Sequence, residues 1–427
     1  MSQLRSADPP LITIDEKVRH QTIDGFGIST AFRRGELLKA LPEDRRREVL
    51  DLWFDCGKGA GFSILRLGIG SAPAGSPYDD MVSIQPQDPG GPDAPPQYIW
   101  DGDDNSQVWV ARAAQEYGVR RFFAVPWSAP GYMKDNGEED NGGRLKPEWW
   151  RAYADYLVQY TRFYQREGIR ITDLAFANEP DWTAPHPSMR FTPKEAAEFV
   201  KVLGPLASGV RLVCCESLGW EETKAYIAAT AEPGARRWVK LYSGHGYGTP
   251  VDSPLPTKRP TWMSEWNPNG TTWNESWYDG SGSDGYTIAS AVHDALAFAG
   301  VSGYLYWLGA SKGNTRALLR IDEEAGTYRV SKRLWALAAF SRFVRPGAVR
   351  IGAAGAVPSL KVCAFHNPDG SRVIVVLNTG VAPRTWAGVS EEAEVYRTDV
   401  NASLDPVPVR DGAVTFPPRA LTTIVLR

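Results

Sequence analysis

Residues 174–182 read L-A-F-A-N-E-P-D-W. The run L-A-F-A is short and apolar, as a buried strand is, but it closes on an amide and a carboxyl group before Pro180. A lone strand-end acid is most often a cap or half of a surface ion pair, so Glu179 acquires meaning only if its surroundings supply a second acid and a cleft. Working outward, Thr192-Pro193 opens a helical pattern over 193–207, and a second apolar run follows at 210–216. On the other side, a helical pattern over 147–167, behind Lys146-Pro147, separates the quoted run from R-R-F-F-A-V-P-W at 120–127. Strands and helices alternating at this spacing are the pattern of βα units and a parallel sheet.

The alternation extends along most of the chain. Strands are expected at 22–30, 63–69, 120–127, 172–178, 210–216, 239–245, 261–265 and 303–308, with further helices at 43–56, 105–117, 285–299 and 331–343. Eight strands suggest closure, so the fold class is α/β, a (β/α)8 TIM barrel. The Gly/Pro/Asp/Ser-rich stretches 70–104 and 266–284 lack periodicity, and long loops after barrel strands build the working face. Past residue 346 the pattern changes to K-V-C-A-F-H, R-V-I-V-V-L-N-T, A-E-V-Y-R-T, A-V-T-F and T-T-I-V-L-R, parted by turn signals. These short strands predict an associated antiparallel β-sandwich side domain. L-I-T-I-D at 11–15 would add an edge strand to it. The expected division is a catalytic barrel over 20–345 and a side domain of 1–19 plus 346–427.

The 427 residues are 43% hydrophobic and 23% charged, with a formal net charge of −3 and a sequence pI near 6.1. The basic excess that accompanies nucleic-acid or anionic-membrane binding is missing, so neither partner is expected. Tryptophan is abundant, at 16 residues beside 17 Tyr, and flat aromatic faces suit sugar rings as well as a bulky core. The four cysteines, Cys56, Cys214, Cys215 and Cys363, show no C-x-x-C spacing and no histidine ladder, so no metal is expected. Cys214 and Cys215, neighbours on a strand, read as separate buried thiols facing opposite sides, and a disulfide between two of the four cysteines stays open, since spacing does not decide it. No apolar stretch reaches the length of a membrane span, and M-S-Q-L-R-S-A-D-P-P lacks a signal-peptide core.

The second acid is Glu265, in T-W-M-S-E-W-N-P, which ends the seventh expected strand as Glu179 ends the fourth. The C-terminal ends of all barrel strands open on one face, so the two carboxylates converge on one cleft. Such a pair suggests glycoside hydrolysis, in which one acid protonates the leaving oxygen while the other attacks the anomeric carbon or activates water. The neighbours fit that chemistry. Asn178 offers an amide to a sugar 2-hydroxyl, and His245 and Tyr247, in S-G-H-G-Y-G, would hold an ionised Glu265. Arg66, in S-I-L-R-L-G, is costly inside a barrel unless it pairs with an acid, and Glu265 is the obvious partner. Trp127, Trp307 and Trp182 are candidate sugar platforms, with core packing the alternative for the first two. No organic cofactor is required by this chemistry.

Five segments then carry a resemblance: Q-T-I-D-G-F-G-I-S-T-A-F (21–32), G-A-G-F-S-I-L-R-L-G-I-G-S (59–71), W-S-A-P-G-Y-M-K (127–134), F-A-N-E-P (176–180) and S-K-R-L-W-A-L (331–337). Over nearly its full length the chain resembles glycoside hydrolase family 30, and within it subfamily 7, of xylanase and glucuronoxylanase type. The resemblance implies a retaining mechanism with Glu179 as acid/base and Glu265 as nucleophile. It also implies that Arg33 or Arg34 clamps a glucuronic acid branch, for which a bidentate guanidinium is suited. Other sugars handled by the wider family, β-1,6-galactan, β-1,6-glucan or a glucosyl lipid, are the alternatives, and a non-catalytic carbohydrate-binding barrel is a third. A polysaccharide substrate is met outside the cell, so an extracellular protein whose leader has been removed is the expectation and a cytoplasmic one the alternative; a monomer is expected.

Overall fold

The computed structural model describes residues 11–427. The chain opens with β1 (Ile12–Thr22), then β2 (Gly25–Ser29), β3 (Ile64–Ile69), β4 (Arg121–Pro126), β5 (Asp173–Leu174), β6 (Arg211–Ser217), β7 (Val239–His245), β8 (Thr261–Glu265) and β9 (Gly303–Ser311). A hairpin of β10 (Ala317–Asp322) and β11 (Thr327–Val330) follows. Strands β2 to β9 pair in sequence order, all parallel, and β9 pairs with β2 as Gly25↔Gly303 and Phe26↔Tyr304, so the sheet closes. The expected eight-stranded barrel is therefore present. Parallel neighbours need long crossovers; helices at Glu43–Phe54, Gln107–Glu116, Trp150–Arg166, Pro193–Leu203, Thr223–Thr230 and Gly285–Asp294 supply all but one of them, and a loop without a helix joins β7 to β8.

Local chemistry explains the helix starts. Thr192 accepts a hydrogen bond from the Glu195 amide while the Glu195 side chain takes the Thr192 amide, with Pro193 at the first helical position. The helix expected from residue 147 instead begins with a 3-10 turn over Pro147–Trp149. The largest departure is in the fourth barrel strand. It pairs over only two residues, Asp173–Leu174, where seven were expected, because the chain beyond it turns toward the site.

The side domain is an antiparallel sheet in the order β1, β12 (Val349–Gly355), β13 (Leu360–His366), β14 (Arg372–Asn378), β19 (Leu421–Leu426), β16 (Glu394–Thr398), β17 (Ser403–Pro406). A two-stranded antiparallel sheet of β15 (Arg384–Ala387) with β18 (Ala413–Phe416) completes it. The period-2 alternation of strands divides this sheet cleanly. Cys363, Phe365, Val373, Val375 and Leu377 pack into the barrel's core, whereas Val362, Ala364, Ile374, Val376 and Ile424 form a separate core with Val414 and Phe416 of the small sheet. Residues 1–10 of the expected N-terminal contribution lie outside the described residues.

Inside the barrel, Ile64, Phe123, Val213, Leu241, Trp262 and Leu305 form one cluster contributed by six strands. Below it, the buried Asp173 receives Arg211 Nε at 2.5 Å, and Asp24 accepts from Trp262 Nε1 at 2.8 Å. Arg121 and Arg211 each reach Asp24 at 3.2 Å, so an ion-paired plug closes the N-terminal end. Only the C-terminal end is left for chemistry. The expectation of separate Cys214 and Cys215 thiols is corrected. The structure joins them in a vicinal disulfide across a cis peptide bond. Among the described residues no helix is long and apolar enough to cross a membrane.

Candidate active site

Arg66 organises the site. It lies two residues above Ile64 on β3 and points into the barrel with it, fully buried. Its guanidinium donates to Glu265 Oε2, to Asn178 Oδ1 at 2.7 Å and to Glu216 Oε2 at 2.7 Å. The fork geometry of arginine is what lets one cation hold three acceptors. Trp127 and Trp307 lie beside it, their ring centroids 4.7 and 5.4 Å from the guanidinium carbon, and Phe32 packs edge-on to both. Trp127 is buried whereas Trp307 keeps part of its surface open.

The carboxylates sit at three strand ends. Glu265 closes β8 and accepts the Tyr247 hydroxyl on Oε1 at 2.9 Å. Tyr247 is also 2.9 Å from Asn267 Oδ1. Glu179 follows β5, and Glu216 lies near the end of β6; both have a left-handed backbone, φ 46° and 59°, which glutamate adopts only where the surroundings enforce it. The Glu179 amide donates to the Glu216 carbonyl at 2.8 Å, which ties the two strand ends together. His245, at the end of β7, bridges their side chains, with Nδ1 2.9 Å from Glu179 Oε1 and Nε2 3.2 Å from Glu216 Oε2. Ser264 Oγ donates to the other Glu216 oxygen.

Burial and charge compete at each group. Burial would lower the His245 imidazolium, but the Glu265 charge and the hydrogen bonds to Glu179 and Glu216 raise it to about 10. Burial would raise Glu216, but the Arg66 charge and the His245 bond bring it down to about 2. For Glu265 burial prevails over Arg66 and His245, and its carboxyl lies above the ordinary glutamate value. Glu179, His245 and Glu265 present ligand atoms within 4.8 Å of one another, a spacing that could hold a metal ion. The donor set does not favour one. A protonated His245 has no lone pair to give, and Arg66 already supplies the cation facing Glu265.

The structure thus gathers Glu179, Glu265, Asn178, Arg66, His245, Tyr247, Trp127 and Trp307 at one end of the barrel. Trp182, Arg33 and Arg34 lie further out. Trp182 is 38% exposed and packs against His186. Arg33 donates to the Asp79 carbonyl at 2.9 Å and pairs with its carboxylate at 3.1 Å. Burial lowers the Arg34 guanidinium, with Asp80 opposing and Arg316 adding to the drop. Sequence reasoning missed Glu216, although V-C-C-E-S repeats the signature of an apolar run closing on an acid.

Residues 9–234 match the family described as O-Glycosyl hydrolase family 30, and residues 347–424 match the glycosyl hydrolase family 30 beta sandwich domain. The chain belongs to glycoside hydrolase family 30. Among family 30 structures, the catalytic domain of GH30 xylanase C from Talaromyces cellulolyticus superposes with a TM-score of 0.90 at 33% identity, over 97% of this chain and 99% of that one. Glucuronoxylanase XynC of Bacillus subtilis is 27% identical over 76% of this chain and 79% of its own length. Putative glucosylceramidase 2 of Caenorhabditis elegans is 26% identical over 86% of this chain and 76% of its own. An endo-1,6-beta-D-glucanase of Neurospora crassa is 26% identical over 86% and 81%. This family 30 chain is accordingly a glycoside hydrolase.

Proposed function

We propose that this enzyme hydrolyses β-xylosidic linkages of xylan or glucuronoxylan with retention of configuration, through Glu265 as nucleophile and Glu179 as acid/base. The observation that carries the mechanism is the approach of Glu179 and Glu265, whose nearest ligand oxygens fall within 4.8 Å. Retaining enzymes hold their carboxyl groups about 5 to 5.5 Å apart, whereas inverting ones leave about 6.5 to 9.5 Å for an intervening water.

In the first step a Glu265 oxygen bonds to the anomeric carbon while the bond to the departing glycosidic oxygen breaks and Glu179 gives that oxygen its proton. In the second, water attacks the anomeric carbon, Glu179 takes the water's proton, and Glu265 leaves as a carboxylate. Arg66 and Tyr247 hold Glu265 in place by donating to its two oxygens. Asn178, fixed through its Oδ1 by Arg66, keeps its amide N–H groups for the sugar's 2-hydroxyl.

The xylan assignment is supported by the likeness to the Talaromyces xylanase and the Bacillus glucuronoxylanase. The same mechanism on β-1,6-glucan or a glucosyl lipid is the second reading, favoured by the likeness to the Neurospora glucanase and the Caenorhabditis glucosylceramidase. Reducing-end release from glucuronoxylan, arabinoxylan, β-1,6-glucan and β-1,6-galactan, with glucose release from glucosylceramide, separates them. Xylan-derived products from the native enzyme and none from Glu265→Gln support the proposal; turnover of xylan by Glu265→Gln overturns the mechanism. A branch-reading Arg33 or Arg34 would add selectivity for glucuronoxylan that the alanine variants lose.

A further inference from the structure

Three acids meet in this site and the reaction uses two. Glu216 is the most buried of them, with no exposed surface. Its oxygens are fully committed: Oε2 to Arg66 and His245 Nε2, Oε1 to the Ser264 hydroxyl. Its amide is held by Ser243 Oγ at 3.2 Å. A side chain so enclosed has no route to a sugar, and a buried carboxylate is maintained only against charges that it balances.

Arg66 and a protonated His245 place two cations in the barrel mouth, facing Glu265 and Glu216. With Glu265 ionised and Glu179 carrying its proton, the state the first step requires, two cations meet two anions and the cluster is neutral. Without the Glu216 charge, the same state would hold one uncompensated buried cation, which disfavours the protonated form of His245.

We infer that Glu216 is a positioning residue for the acid/base group: it fixes His245 as a doubly protonated imidazolium whose Nδ1–H orients Glu179. This rests on the proposed role of Glu179. The groups facing His245 are Glu179 and Asp181 beyond β5, Glu216 on β6, Tyr247 beyond β7, Glu265 on β8 and Arg66 on β3; of these, Glu216 is the carboxylate bonded to Nε2. Ser264 holds the other oxygen of that carboxylate and Arg66 shares Oε2 with His245, so the carboxylate is fixed against the imidazole ring.

The test is Glu216→Gln, nearly isosteric, in the full chain, read in two ways. The first is the ionisation of His245 by 15N NMR of histidine-labelled protein, which has five histidines, with the resonance assigned by His245→Asn. The native imidazole should stay protonated past pH 8, and in Glu216→Gln it should lose its proton at least about one pH unit lower, because the neighbouring anion is gone. The second is the pH profile of kcat/KM with a poor, alkoxide-type leaving group and with a nitrophenyl glycoside that needs no proton. The alkaline limb should move down by about one unit for the first substrate only. Glu216→Asp, which keeps the charge, should return both readouts much of the way to their native values.

A His245 titration within 0.3 units of native, or equal loss on both substrates at every pH with an unmoved limb, overturns the inference and leaves Glu216 a structural anion. If Glu179→Gln keeps full activity on the poor leaving group, the acid/base reading has failed instead. The NMR arm then decides the Glu216–His245 linkage by itself.

Discussion

Arg66 and Glu265 stand on the second and seventh strands of the barrel, 199 residues apart in sequence, and share a buried charge-assisted hydrogen bond. The contact joins fold and chemistry, because the cation that satisfies the barrel interior also orients the proposed nucleophile.

Replacing Arg66 by methionine should therefore harm both. It leaves Glu216 and Glu265 buried beside His245 alone, and breaking a buried pair by removing one partner costs about 3 to 5 kcal/mol. Urea unfolding should register a loss of that order, with activity down by more than about a hundredfold. A midpoint unchanged from native would mean that the pair contributes nothing to the fold.

Tyr247→Phe removes only the hydroxyl that donates to Glu265 Oε1. The folded structure should be retained. Donation to a carboxylate favours its ionised form, so losing it moves the Glu265 titration further up from a value already raised by burial. The acid limb of kcat/KM, which reports ionisation of the nucleophile, should begin above the ordinary glutamate range in the native enzyme and shift further toward neutral pH in the variant. A limb that stays put or moves to lower pH would show that the hydroxyl does not act on Glu265.

Away from the site, Asp104 is buried behind β3 and accepts from Tyr160, Tyr164 and Gln107, all on one oxygen. Burial outweighs those bonds and raises its carboxyl from 3.8 to about 7. The raised folded value means the folded chain holds a proton that the unfolded chain releases, so the protonated form contributes stability that is full below about pH 4 and lost as pH rises to about 7. Asp104→Asn cannot lose it. Its Tm relative to native should improve steadily between pH 4 and 8, and a difference independent of pH would show that Asp104 does not titrate in that window.

Much of this was legible in the sequence, for identifiable reasons. Alternating apolar runs and helical patterns announce a parallel barrel, and a strand-end acid in two registers, Glu179 and Glu265, announces a shared face. A buried arginine in S-I-L-R-L-G implies an acid to meet it, and Glu265 is one of its partners. The missing partner was Glu216. Its strand-end signature was there in V-C-C-E-S, but the fifth strand was read for its cysteines, whose vicinal bond no spacing rule indicates. The brevity of β5 was also hidden, because the bend that follows depends on the Glu179 amide reaching the Glu216 carbonyl, a contact between strand ends far apart in sequence. The resemblance offers Arg33 to a sugar carboxylate and gives no sign of a partner within the chain. Its engagement by Asp79 lies in the aperiodic 70–104 loop, where pattern carries no information.

Three carboxylates within one cluster make the identity of the nucleophile the central claim, and trapping the covalent intermediate tests it most directly. The enzyme is incubated with a 2-deoxy-2-fluoro-β-xyloside bearing a good leaving group, digested, and analysed by tandem mass spectrometry, with the corresponding glucoside run in parallel. The account predicts one fluoroglycosyl adduct, on the peptide containing T-W-M-S-E-W at Glu265. An adduct on Glu179 or Glu216, or inactivation with no adduct on Glu265, would contradict it.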